Sequence, residues 1–209
     1  MSRIIVTCGP SFEPIDEVRR ITNSSSGELG VRLANRLSAA GFEVVCVQGE
    51  MASVRGPFDA ARVVPFSTND DLLAKLETLS HQGETHAVLH AAALADFKVH
   101  RDGAERKISS RSGEIALTLV PATKILPRLR SLFPQARIVG WKYELDGSRE
   151  EALAKGRAQI AECATDACAV NGAAYGDGFG FLTRDGAQTH LPDKSALADF
   201  LATWLASKA

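Results

Sequence analysis

With 209 residues, 45% of them hydrophobic, the chain can bury a sizeable core in one large domain or two small ones. Its 24 basic and 25 acidic side chains give a formal charge of -1, which argues against an electrostatic nucleic-acid partner. Cys8, Cys46, Cys163 and Cys168 form no C-x-x-C pair and no zinc-spaced cluster. With no signal-peptide run and no apolar stretch of about 18 residues, the sequence predicts a soluble, cytoplasmic protein without a membrane partner.

In chain order, Ile4 to Thr7 predicts a first buried strand. Gly27 to Ala40 predicts a helix with Leu29, Val31, Leu33 and Leu37 apolar and Gly41 as its stop. Glu43 to Gln48 is a second strand, and Asn69-Asp70 caps a helix running to Leu79. Ala87 to His90 is a third strand, Ala122 to Leu132 a helix, and Arg137 to Trp141 a strand. Ser148 to Cys163 is helical and Ala167 to Asn171 is another strand. Gly180 to Thr183 and Gln188 to Leu191 form a late hairpin around Arg184-Asp185-Gly186, and Ser195 to Ala206 closes the chain as a helix. This alternation predicts a single α/β domain over residues 1–209, a Rossmann-like three-layer sandwich with a mainly parallel sheet. Two stretches break the rhythm: Gly9 to Ser26, and the charged segment Phe97 to Gly113. Both leave the carboxyl ends of strands, where open parallel sheets bind ligands.

Four segments carry candidate chemistry. Ser24-Ser25-Ser26-Gly27 leads into a helix whose free N–H groups suit a phosphate; an ordinary serine cap is the plainer explanation. Neither G-x-G-x-x-G nor Walker A occurs. Glu13 to Arg20 offers acids for a metal or an amine, and Arg19 or Arg20 to clamp a phosphate or carboxylate, or it is a solvated loop. In His90-Ala91-Ala92-Ala93-Leu94-Ala95-Asp96, the alanines leave room for a flat ring and Asp96 stands at the strand edge; His90 reads as core. Lys98, Arg101, Arg106, Lys107 and Arg111 make either a lid over an anion or a solvated loop. Trp141 and Asn171 end two strands and suit a pocket lining.

Together these segments resemble the phosphopantothenate–cysteine ligase family. The likeness is carried by Glu13-Pro14-Ile15-Asp16-x-Val18-Arg19-x-Ile21-x-Asn23-x-Ser25-Ser26-Gly27. Ala92-Ala93-Leu94-Ala95-Asp96-Phe97, Lys107-Ile108, Leu119-Val120-Pro121, Gly140-Trp141 and Val170-Asn171 follow in order, so the resemblance runs from Ile4 to Phe181. It implies a ligase of coenzyme A biosynthesis. The carboxylate of 4′-phosphopantothenate is activated by CTP or ATP with Mg²⁺, pyrophosphate leaves, and the cysteine amine displaces a nucleoside monophosphate. By position it implies that Asn23 holds the acyl-nucleotide or pantothenate amide and that Lys107 neutralises the activated intermediate. Gly9, Ser25, Ser26 and Gly27 would cradle phosphate, and Ala92, Ala93 and Trp141 would line the nucleotide. Asp96 would stand at the site edge, with Arg19 and Asn171 on the substrate side, Asn171 across a homodimer interface.

The chain departs from the family pattern at several points. Lys107 is followed by Ile108-Ser109-Ser110 where further lysines are common, Cys8-Gly9-Pro10-Ser11 replaces Gly-Gly-Thr, and Glu28 replaces a frequent lysine. These leave CTP against ATP open, and the metal ligands are not identified. Nothing corresponds to the flavin domain often fused to this ligase, so no FMN is expected, and whether a separate chain is the flavin decarboxylase is left open. Two alternatives stand beside the ligase. One is a catalytically silent nucleotide-binding subunit of such a decarboxylase. The other is a short-chain nicotinamide-dependent reductase, which lacks its Tyr-x-x-x-Lys here, since Gly147 and Phe179 follow Tyr143 and Tyr175.

Overall fold

The computed structural model describes residues 2–100, 106–109 and 113–207. The runs with apolar middles become central strands: β1 (Arg3–Cys8), β4 (Glu43–Gly49), β6 (Ala87–His90), β9 (Arg137–Tyr143) and β10 (Ala167–Asn171). An edge strand β5 (Arg62–Phe66) and the hairpin β11 (Phe179–Thr183) and β12 (Gln188–Leu191) complete an eight-stranded sheet. Its order is β12-β11-β10-β9-β6-β1-β4-β5. All neighbours from β5 to β10 pair parallel, and β11 and β12 pair antiparallel. The chain builds outwards from β1 in one direction through β4 and β5, then returns to build through β6, β9 and β10. That reversal between β1 and β6 is the switch point at which doubly wound sheets open a ligand crevice.

Helices cover both faces, as two-sided burial of the strands demands. On one face α1 (Glu28–Ala39) and α5 (Lys194–Ala206) enclose a core with Val6, Cys8, Leu33, Leu37, Leu89 and Leu201. α1 lies so close to β1 that a Cβ on Gly30 would fall 2.0 Å from the Cys8 Cβ. On the other face α2 (Asn69–Ser80) and the short α3 (Leu129–Leu132) pack Leu72, Leu76 and Leu129 onto Ile5, Val88 and Ile138, while α4 (Arg149–Cys163) covers Val170 and Leu182. Ser148 starts α4 with a reciprocal capping box to Glu151, and Asp193 caps α5 through the Ala196 N–H at 2.8 Å. Among the described residues no helix is long and apolar enough to cross a membrane.

The structure corrects the sequence reading in detail. β5 was not anticipated, because Arg62, Val63 and Pro65 are exposed and blur its pattern. The helix expected over Ala122 to Leu132 is shorter: a 3₁₀ turn Leu126–Arg128 runs into α3, with Pro127 fitting only the first turn. The cap of α2 is Thr68, whose hydroxyl accepts from the Asp71 N–H at 3.1 Å, while Asn69 turns inward and is buried. The two irregular stretches carry small antiparallel pairs: β2 (Phe12–Pro14) with β3 (Arg20–Thr22), and β7 (Phe97–Val99) with β8 (Leu119–Pro121).

Candidate active site at the carboxyl edge of the sheet

Beyond the switch point, the exits of β1 and β6 are laced together by backbone. Ala91 N–H donates to Thr7 O and Ala93 N–H to Gly9 O, each at 3.0 Å, and Ser11 N–H donates to Ala93 O at 3.2 Å. The buried Ser11 hydroxyl accepts from Ala95 N–H at 2.9 Å. Ala93 therefore fixes the floor of the crevice with both of its backbone polar groups.

On the β1–β4 side, Gly9 adopts φ 74° and Gly27 φ 79°, conformations that favour glycine. A Cβ on either residue would lie 3.0 Å from the Ala52 Cβ, so the turn before α1 is a tight backbone surface. Gly27 is the N-cap of α1 and provides no side-chain bond; the Ser26 hydroxyl accepts only from Glu28 N–H, at 3.3 Å. Ser25 is half-buried and Ser26 exposed beside this helix end. The Ser26 hydroxyl thus meets a first-turn N–H as an ordinary serine cap does, and the partial positive charge of the helix end suits an anion. Glu28 does not oppose that use. Hydrogen bonds from Lys194 (2.5 Å) and Arg32 (2.8 Å) hold its carboxyl below the usual range and offset its charge.

The hairpin of β2 and β3 carries the next group. Asn23 leaves it exposed and donates from Nδ2 to Leu94 O at 2.8 Å, which ties the hairpin to the exit of β6. Asp16 is the buried anchor of the 106–109 segment. It accepts from the N–H groups of Val18 (2.9 Å), Arg19 (2.7 Å) and Ile108 (3.1 Å), and from Arg19 Nη1 (2.5 Å). Burial raises its pKa, but the N–H groups of Val18, Ile108 and Arg19 and the Arg19 charge outweigh that and lower it. Arg19 also donates to Ile108 O at 3.1 Å, so its guanidinium is engaged with the lid segment. On the other flank Glu17 N–H donates to Arg106 O at 3.0 Å, and Arg106 pairs with Glu17 at 2.7 Å. Lys107, between these anchors, is exposed. Of the other lid cations, Lys98 pairs with Asp70 at 3.1 Å, and Arg101 and Arg111 lie outside the described residues.

Two cavities open on opposite faces of the edge. The first, about 680 Å³, is lined by Asn171, Tyr143, Asp177, Phe179, Arg32 and Lys194. The second, about 510 Å³, is lined among others by Ala92, Asp96, Trp141, Asn69, His90 and Lys142. Asp96 is exposed at its rim and paired with Lys124. Trp141 packs against the core shared by α1 and α5, and its buried Nε1 has no partner among the described residues. His90, read from sequence as core, is buried but also lines this cavity; its Nδ1 and the Thr7 hydroxyl are 2.7 Å apart. Burial lowers its pKa to about 4, so the ring is neutral at pH 7. The expected residues thus fall into connected groups: Gly9, Ser25, Ser26 and Gly27 at α1, Arg19, Asn23 and Lys107 on the hairpin and lid, Ala92, Asp96 and Trp141 at the second cavity, and Asn171 at the first. Sequence reasoning took Asn69 only as a helix cap and did not single out Arg32 or Lys194.

This arrangement defines a Rossmann-like α/β protein with a candidate site at the carboxyl edge of its sheet. The chain belongs to the family of the DNA/pantothenate metabolism flavoprotein C-terminal domain, which matches residues 1–207. A curated relative, the coenzyme A biosynthesis bifunctional protein CoaBC of Thermococcus kodakarensis, is 34% identical over 170 residues, 81% of this chain and 41% of that protein. The chain spans less than half the length of the curated relatives it matches first. Among solved structures, the DNA/pantothenate metabolism flavoprotein of Streptococcus pneumoniae superposes with a TM-score of 0.85 at 21% identity, covering 98% of both chains. Cab2 mutant H337A in complex with phosphopantothenate-cysteine gives 0.78 at 19% identity, covering 98% of this chain and 85% of that one. These likenesses establish the shared fold.

Proposed function

We propose that this chain joins 4′-phosphopantothenate to cysteine through an acyl-nucleotide, releasing pyrophosphate and a nucleoside monophosphate. The observation that carries the reading is the anchoring of the chain beside Lys107: Asp16 and Arg19 bond Ile108, and Asn23 at the end of the same hairpin bonds Leu94 at the exit of β6, which supports a shared edge for these residues. The Cab2 neighbour, solved with phosphopantothenate-cysteine, supports the substrate class. Two anionic substrates must meet here, and the α1 N-terminus and Lys107 supply opposing charge. In this reading Gly9, Ser25, Ser26 and Gly27 receive phosphate, and Ala92, Ala93 and Trp141 border the nucleotide. Asn23 holds the acyl group, Asp96 closes its edge, and Arg19 and Asn171 serve the pantothenate side.

The nucleotide is CTP or ATP. Among the described residues no three His, Cys, Asp or Glu side chains converge on a metal site. In this reading Mg²⁺ comes with the triphosphate, the usual way this ion is bound beside a nucleotide. The reading includes no FMN and leaves open whether a separate chain is the flavin decarboxylase. It also includes a cytoplasmic homodimer, supported by the exposed apolar residues Phe97 and Leu119 on the small β7–β8 sheet and Val18 beside the hairpin.

The test is pyrophosphate release from 4′-phosphopantothenate, Mg²⁺ and either CTP or ATP, with and without cysteine. Cysteine-dependent turnover with one nucleotide is the expected result. Nucleotide binding without any release would favour a silent subunit.

A further inference from the structure

We propose that Asn69 and Gln159 select the nucleotide by its base, accepting the ring amino group of cytosine or adenine in the second cavity; the assignment deepens the ligase reading and rests on its nucleotide. Both side chains line this cavity, Asn69 from α2 and Gln159 from α4. Asn69 is 1% exposed. Its Nδ2 donates to Ala95 O at 2.8 Å and to Thr123 O at 3.0 Å. Two carbonyl acceptors fix which way the amide faces, so Oδ1 is the atom left over, and it has no partner among the described residues.

Gln159 is oriented the same way by a different neighbour. Its Nε2 lies 3.6 Å from the Cys168 sulfur. Burial pushes the Cys168 thiol up to about 12, so it keeps its proton, and that S–H donates to Ala169 O at 3.8 Å. The sulfur is left to accept, which turns the Nε2 side of the amide towards it. A Cβ on Gly140 would lie 2.4 Å from the same Nε2, so the amide rests on the β9 backbone. Among the described residues Oε1 has no partner. Two amide oxygens on two helices thus line one cavity, each able to accept and neither able to donate. The charged groups Asp96, Lys124 and Lys155 are exposed, and the His90 ring further in is neutral at pH 7. The inner cavity therefore suits the uncharged end of a nucleotide. Cytosine and adenine each offer an amino group there, whereas uracil and hypoxanthine offer a carbonyl oxygen that would face two acceptors.

The test pairs each amino nucleotide with its keto partner, CTP with UTP and ATP with ITP, in calorimetric titrations of the whole chain. The expected result is a preference of about tenfold or more for the amino nucleotide in at least one pair, and that pair identifies the base. Gln159→Leu, which removes the acceptor, should shrink the preference, and Gln159→Lys, which supplies a donor, should turn it towards the keto partner. A variant that merely loosens α4 weakens both members of a pair and leaves their ratio unchanged, so the ratio separates selection from folding. Asn69→Leu provides the same comparison from α2. A preference below about tenfold in both pairs, a preference that all three variants retain, or no nucleotide binding at all overturns the assignment. Selective binding without pyrophosphate release sustains it and counts against the ligase reading alone.

Discussion

A buried carboxylate organises the lid. Asp16 spends its oxygens on three backbone N–H groups and one guanidinium, and one of those N–H groups belongs to Ile108, beside Lys107. Asp16→Asn keeps the volume but removes the charge, and with it the pull on Arg19. Turnover should fall at least tenfold while nucleotide affinity changes little, since charge-assisted bonds are about twice as strong as neutral ones. Lys107 itself is exposed, so Lys107→Gln should abolish turnover with the melting temperature unchanged; full activity would remove it from the mechanism. His90 adds a pH dependence. Its folded pKa of about 4 lies below the ordinary 6.5. The unfolded chain therefore binds this proton first, and stability is lost as pH falls from about 6.5 towards 4. Denaturant titrations across that window should show His90→Leu flatter than the native chain.

Elements differ in how far the sequence announces them. β1, β4 and β6 are apolar on both faces and legible as unbroken runs, and the capping box at Ser148 marks α4 directly. Ser148→Ala should cost about 1 kcal/mol of stability and leave KM values alone, as chemical denaturation and steady-state kinetics would show. β2, β3, β7 and β8 are three residues each and partly exposed, too short for a period to emerge. Of the site, the segments with a fixed local shape were readable: the Gly9 turn, the serines before α1 and the exit of β6. Arg32, Lys194 and Asn69 were not, because their meaning depends on partners far along the chain. Lys194 matters through Glu28, and Asn69 through Ala95 and Thr123.

At the scale of the molecule, the small sheets give the proposed homodimer its surface. Phe97 and Leu119 sit on paired strands with about half of each residue exposed (54% and 47%). Sedimentation should report a dimer, and Phe97→Glu should shift it towards monomer; a native chain that sediments as a monomer at micromolar concentration would refute the pairing. At its β5 edge the large sheet is a poor competitor for that association. Its outer strand β5 carries Pro65, which has no N–H to donate, and opens on the exposed Arg62. A passing strand finds a broken ladder there and a charge to desolvate. The same irregularity that hid β5 in the sequence thus guards the protein against fibrous growth, and replacing Pro65 and Arg62 with valine would be expected to expose a template for it.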